Sequence, residues 1–151
     1  MKMFRKVNGQ KVTDVVEHTL NIIRKDPTVE IHIGTDSQSE GEITTYVTAL
    51  AYRYGNKGVH YIYWREKIPR INDKFTKLYR EAELTIEFAE WFTERVKSVR
   101  VELDFDYNKD ERYFSQKLVA STKGWAEGLG YKVNIKPIKQ IATRAADYHC
   151  R

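Results

Sequence analysis

Val29-Glu30-Ile31-His32-Ile33-Gly34-Thr35-Asp36-Ser37-Gln38 is the stretch from which the fold can be read. It is entered through Asp26-Pro27-Thr28, is rich in β-branched residues and leaves through small polar ones, so it reads as a strand with Asp36 at its end. The carboxyl edge of an open α/β sheet is where ligands and metal ions collect, because the connecting loops diverge there. Taken alone, Asp36 and Ser37 are equally well explained as a strand terminator and turn cap. What decides between the two readings is whether acids from elsewhere in the chain reach the same point.

Upstream of this strand, Val12, Val16, Leu20 and Ile23 share one face of a helix over residues 12–24, with Thr13 or Asp14 as its cap. Downstream, a turn at Ser39-Glu40-Gly41-Glu42 precedes a β-branched and aromatic strand over 43–54. The tight connection Gly55-Asn56-Lys57-Gly58 then leads to a third strand over 59–67, and the three form an antiparallel meander ended by Pro69. The period then changes. From Asn72 or Asp73 to Lys97, Leu78, Ala82, Thr85, Ala89, Phe92 and Val96 recur every three or four residues, a long helix closed by Ser98. Residues 99–106 alternate strictly as a fourth strand. A loop at 107–110 leads to a helix carrying Phe114, Leu118, Ser121, Trp125 and Leu129, stopped by Gly128 and Gly130. A short fifth strand over 131–136 ends at Pro137, and a last helix over 140–151 has Ile141, Ala145 and Tyr148 on one side. A meander followed by alternating helices and strands predicts one α/β domain over 1–151, a mixed sheet whose later strands are joined by helical crossovers and therefore run parallel.

The 151 residues suffice for one substantial core. With 41% hydrophobic and 31% charged residues the composition is that of a globular chain and excludes a wholly disordered one. No apolar run approaches the roughly 20 residues of a membrane span, and Met1-Lys2-Met3-Phe4-Arg5-Lys6 has no apolar segment behind its charges, so the expected location is the cytosol. Cys150 is the only cysteine, which rules out an internal disulfide and a thiolate metal site. Lys and Arg number 26 against 21 Asp and Glu, a net charge of +5 that tilts the expected partner toward a polyanion such as nucleic acid. There is no Walker loop, no Gly-x-Gly-x-x-Gly and no Ser-His-Asp arrangement, which disfavours nucleotide motors, dinucleotide enzymes and serine hydrolases.

Acids at three further places can meet Asp36. On the fourth strand Asp104 and Asp106 point to the same face but lie roughly 7 Å apart, so one alone can be level with Asp36; Asp104 is preferred and Asp106 held in reserve. On the long helix Glu81 borders the apolar stripe, whereas Glu83 lies further toward solvent. In Ala145-Ala146-Asp147 the alanines let the last helix approach the sheet closely. Any one of these acids is ordinarily just a helix-face or strand-end charge. Four from four elements at one point would repel and raise one another's pKa values unless a cation neutralised them. Oxygen ligands imply hard ions, Mg2+ or Mn2+, and two of them can support phosphodiester cleavage.

The acids of Gly34-Thr35-Asp36-Ser37-Gln38, Tyr79-Arg80-Glu81-Ala82-Glu83-Leu84-Thr85, Glu102-Leu103-Asp104 and Ala145-Ala146-Asp147-Tyr148-His149-Cys150-Arg151, in this element order, resemble the ribonuclease H-like superfamily. More narrowly, the chain from Val12 onward is similar to its small bacterial YkuK-type (DUF458) proteins. The resemblance implies a five-stranded mixed sheet in the order 3-2-1-4-5 with strand 2 antiparallel, helices packed on it, and an extra N-terminal helix. It implies Asp36, Glu81, Asp104 and Asp147 as both catalytic and metal-binding residues, with Asp36 shared between two ions, Glu81 and Asp104 on one and Asp147 on the other. The implied activity is hydrolysis of RNA, including RNA in an RNA–DNA hybrid; the rival reading is a nucleic-acid-binding or assembly module that does not cleave, and a third is one structural cation. The Asp-x-Glu pair of proofreading exonucleases is missing, since Ser37 and Gln38 follow Asp36, and His149 follows the last acid instead of preceding it.

Several other residues have two readings each. His149 could carry a proton near the site or be a partly exposed helix-end residue. Arg144 could meet a phosphate or neutralise Asp147. His32 reads as a satisfied interior histidine, His18 and His60 as surface ones, and Trp91 and Trp125 as core. Ser37 could donate to a phosphate. Tyr52, Tyr54, Tyr61, Tyr63 and Trp64, with Arg53, Lys57 and Arg65 between them, could clamp a nucleic-acid strand or simply be strand residues.

Overall fold

The structure, a computed structural model, describes residues 2–97, 99–107, 112–135 and 140–150, with the side chains of 112–116 excepted. The predicted roles of Ser98, Pro137, the 108–110 loop and the Phe114 side chain lie outside these residues. The elements run β1 (Phe4–Lys6), β2 (Lys11–Val12), α1 (Val15–Lys25), β3 (Glu30–Glu40), β4 (Ile43–Arg53), β5 (Val59–Pro69), α2 (Lys74–Arg95), β6 (Val101–Phe105), α3 (Arg112–Gly128), β7 (Lys132–Ile135) and α4 (Ala142–Cys150). Both predicted caps are in place: Asp14 accepts from the amide of Glu17 and Asp73 from that of Thr76, each occupying an otherwise orphan N–H of the first turn.

The sheet has the order β2-β1-β5-β4-β3-β6-β7. Its last five strands are the expected 3-2-1-4-5 arrangement, with β4 antiparallel to both β3 and β5, and β6 parallel to β3 and β7. Two N-terminal strands are additional: β1 pairs with β5 and carries β2 at the outer edge. With three and two residues, neither is long enough to show a period in the sequence.

Alternation divides the central strand between two cores. Ile31 and Ile33 face Ala82, Ile86, Ala89 and Phe92 of α2, all buried. The opposite face packs on α4, where Val47, Ala49 and Ala51 meet Ala142, Ala145 and Ala146. The close approach depends on Gly34, where an added Cβ would lie 2.9 Å from Thr143 Cγ2 and 3.0 Å from the carbonyl of Asp104. Buried hydroxyls tie three elements together. Thr35 Oγ1 of β3 lies 2.9 Å from Thr48 Oγ1 of β4 and accepts from Thr85 Oγ1 of α2 at 2.9 Å. Trp91 is partly buried as expected, whereas Trp125 is 38% exposed, because its position on α3 faces outward beside α2. His18 and His60 are half-buried instead of surface residues, their Nε2 atoms 2.9 Å apart across α1 and β5.

Candidate metal centre

The parallel register of β3 and β6 pairs Ile31 with Val101 and Gly34 with Asp104. Asp104 is therefore level with the glycine, where the pairing stops, and Asp106, just past the end of β6, is the β6-side acid whose charge acts on Asp36. The expectation that Asp104 stands beside Asp36 is corrected by this register. The strand's side-chain alternation was read rightly, but where the α2 crossover delivers β6 fixes the level, and no residue pattern displays that.

Asp104 is fully buried, and both its oxygens are filled. Oδ1 lies 3.1 Å from His32 Nδ1 and accepts from Asn134 Nδ2 at 2.9 Å, while Oδ2 accepts from the amides of Ile141 at 3.0 Å and Ala142 at 2.9 Å. A sheet carboxylate thus caps the start of α4, where two N–H groups lack helical partners. His32 is the interior histidine the sequence suggested. Burial opposes its charge, but the hydrogen bond and charge of Asp104, with Glu30 and Glu102 beyond, outweigh that and raise its pKa.

Asp36 is half-buried in the middle of β3, past the stretch that pairs with β6; the strand runs on beside β4 to Glu40, so the expectation that it ends at Asp36 is corrected, and the pKa of Asp36 is pushed up to about 7. Burial is the largest cause; the charges of Asp106 and Asp147 and a hydrogen bond shared with Asp147 add to it against the amide of Ser37. Glu81, buried on the inner side of α2, is likewise held well above the usual carboxylate range by burial, then by Asp36, with Asp106 contributing and Lys77 offsetting part. Ser37 Oγ donates to Glu81 Oε2, linking β3 to the helix. Cys150, one turn beyond Asp147, has its thiol pKa raised by burial and then by Asp36, Glu81 and Asp147. The structure therefore brings Asp36 within electrostatic range of Glu81, Asp106 and Asp147, and Glu81 within range of Asp106, and uses Asp104 one layer below. Glu83 turns outward to pair with Arg80, which separates it from Glu81.

Four carboxylates with two raised pKa values form a donor set suited to hard divalent ions, which would replace the protons that burial and repulsion hold in place. Among the described residues, the group whose ligand atoms already lie within 4.8 Å of one another is a different one, Glu30, His32 and Glu102 further back on the same strands, where Lys132 Nζ sits 3.4 Å from Glu102; no three of the four acids round Asp36 stand that close.

Neighbouring residues are distributed differently from the simplest expectation. His149 is buried, its ring stacked 3.7 Å from that of Tyr63 and its Nε2 2.9 Å from Tyr61 Oη. Of the meander aromatics, Tyr52 and Tyr63 are core residues, so the five do not form one exposed clamp. Arg144 is exposed. Tyr46, fully buried under the site, donates to the carbonyl of Lys77 at 2.9 Å and steadies the first turns of α2. A cavity of about 490 Å3 lined by Lys2, Phe4, Trp64, Glu87, Phe88 and Trp91 includes none of the four acids.

A sheet in this order, with an acid on its central strand between α2 and α4, defines a ribonuclease H-like architecture. The sequence matches the family model described as Ribonuclease H-like over residues 14–151, and the chain belongs to that family. Among curated proteins no match is found. No described helix is long and apolar enough to cross a membrane.

Proposed function

We propose that the protein is a divalent-metal-dependent nuclease that hydrolyses phosphodiester bonds in RNA, including RNA paired with DNA, at a site made by Asp36, Glu81, Asp106 and Asp147. Family membership supports a nucleic-acid-related function. The observation that carries the finer reading is the convergence of four acids from β3, α2, the end of β6 and α4, two of them with pKa values raised by burial and by one another. Mg2+ or Mn2+ held there would lower the pKa of a water and offset charge on the leaving oxygen. The chain's own residues have three tasks. Asp36 stands at the centre, next to acids of both covering helices. Ser37 orients Glu81 through its hydroxyl. Asp104 fixes the start of α4 and so the position of Asp147 five residues on, which makes it a positioning residue in place of the ligand expected from the sequence.

Cleavage of single-stranded RNA, an RNA–DNA hybrid and DNA with Mg2+ or Mn2+ tests the proposal. Asp36→Asn and Asp106→Asn are expected to lower the rate by about a thousand-fold, because each removes a charge that holds the ions. Cleavage retained by both variants would identify a contaminant and sink the proposal. Salt-dependent binding of nucleic acid by wild type without cleavage would favour the non-cleaving module.

A further inference from the structure

Two carboxylates and a histidine meet well away from the acids round Asp36. Glu30 and His32 are two apart on β3 and so share one side of the sheet, and the parallel register sets Glu102 of β6 directly beside His32. Each of the three offers a ligand atom within 4.8 Å of the others. At about 3.3 Å per residue, His32 lies roughly 13 Å along β3 from Asp36, too far for the two groups to share an ion. His32 and Glu102 are 3% and 5% exposed, which sets them apart from ordinary surface charges. The Glu30 side chain, 39% exposed, leaves a way in from solvent.

The ring of His32 is held from behind. Asp104 already accepts from Asn134 Nδ2 and from the amides of Ile141 and Ala142, and it offers His32 Nδ1 an acceptor at 3.1 Å, so Nδ1 carries a proton. The lone pair of the neutral ring is therefore on Nε2, and Nε2 faces another acceptor, Glu30 Oε1, at 3.2 Å. Acceptor against acceptor at that distance requires something positive between them, either a second ring proton or a metal ion. Burial opposes the second proton, even though Asp104, Glu30 and Glu102 together raise the pKa of the ring. A buried carboxylate on one ring nitrogen, with the other turned toward further carboxylates, is the outer support that ligating histidines use. Two side-chain cations stand at the margin, Lys132 Nζ 3.4 Å from Glu102 Oε1 and Arg53 Nη1 3.9 Å from Glu30 Oε2, and Glu102 Oε1 also accepts from Asn134 Nδ2 at 3.1 Å. Neither cation is hydrogen-bonded to His32.

We propose that Glu30, His32 and Glu102 bind a zinc ion that ties β3 to β6. One imidazole and two carboxylates suit a borderline divalent ion better than Mg2+. Tetrahedral donors about 2.1 Å from zinc stand about 3.4 Å apart, close to the 3.2 Å that already separates Nε2 from Oε1. Rotation of the two glutamate carboxylates completes three positions, and water takes the fourth. The ion bridges the strands two residues before Asp104, the carboxylate that anchors α4, so its role is structural and independent of the nuclease reading.

The test uses the full chain at neutral pH with zinc as the only divalent ion, titrated in competition with a chromogenic chelator. One zinc is expected to bind wild type and Asp36→Asn with equal affinity, to resist excess Mg2+, and to raise both melting temperatures by roughly 5 °C at a hundred-fold excess over Kd. Nitrogen-15 spectra of the histidine rings should show the His32 Nε2 signal move on zinc addition. Glu30→Gln, at the exposed edge, and Glu102→Gln should each weaken zinc binding by at least the ten- to hundred-fold that loss of an outer partner costs. Glu30→Gln should melt like wild type in EDTA, and Lys132→Ala, which removes the competing ammonium, should bind zinc several-fold more tightly. Zinc lost in Asp36→Asn would assign the ion to the acid cluster and overturn the proposal. So would unaltered affinity in both glutamine variants, or a His32 signal unmoved at zinc saturation, which would leave a second ring proton in the ion's place. None of these outcomes bears on the nuclease reading, which is decided by cleavage with Mg2+ or Mn2+.

Discussion

Asp104 and Asp106 stand two residues apart on one strand, yet the first receives four hydrogen bonds in a closed interior and the second faces the acid cluster. The same substitution should therefore have opposite consequences. In Asp104→Asn an amide NH2 replaces an acceptor oxygen and confronts donors, so the variant is expected to lose about 3 kcal/mol in urea unfolding. In Asp106→Asn one repelling charge disappears, metal-free stability should be unchanged or higher, and the Mn2+-induced rise in melting temperature should be lost. Equal destabilisation by both substitutions would contradict the division of roles. The sequence made both acids visible and placed them on the right face. It could not rank them, because their level relative to Asp36 is set by a contact between segments separated by the meander and the whole of α2. Glu81 and Glu83 could be told apart by burial, since both lie on one helix whose apolar stripe shows which of them turns inward.

At the scale of the element, α4 bears on β3 through small residues, and Gly34 is where the two backbones come nearest. A methyl group there meets the carbonyl of Asp104, which cannot rotate away, as well as Ala142 Cβ at 3.1 Å. Gly34→Ala is expected to cost roughly 1–3 kcal/mol by overpacking and, by shifting the helix that carries Asp147, to reduce cleavage more than the stability loss accounts for. Thermal unfolding and rates measured well below the melting temperature separate the two effects. The alanines of this helix announced close packing in the sequence, and the long elements were legible for a similar reason, since two or more turns or six or more alternating residues display a period. β1 and β2 were not legible, and Trp125 fitted its helix pattern while pointing away from the core, because a period shows which residues share a face and not what that face meets.

For the molecule as a whole, the charge of +5 hides a local excess of negative charge at the strand ends. Asp36 has a folded-state pKa of about 7, above its value of 3.8 when unfolded, so the proton favours the fold. That stabilisation is fully present below 3.8 and is lost as pH rises through about 7. Without metal, wild type is expected to lose stability between about pH 4 and about pH 7 relative to Asp36→Asn, by an amount on the order of 2 kcal/mol. Saturating Mn2+ should remove that difference in slope by stabilising wild type at the alkaline end. The raised pKa of His32 works in the same direction, whereas the lowered values of His18 and His60, caused chiefly by burial, work in the other. Comparison with Asp36→Asn at each pH cancels all three. Parallel melting curves for the two proteins would show that Asp36 titrates normally.

The β3–β4 hairpin joins residues close in the chain, from Glu40 and Ile43 outward, whereas β6 and α4 can dock only after long loops have closed. Assembly of the meander therefore precedes the meeting of the acids, which come together only when the distant segments arrive. Their repulsion is then absent while the meander forms and acts only once β6 and α4 have docked. It weighs on the folded chain, and an ion held by these acids would act as a brake on unfolding.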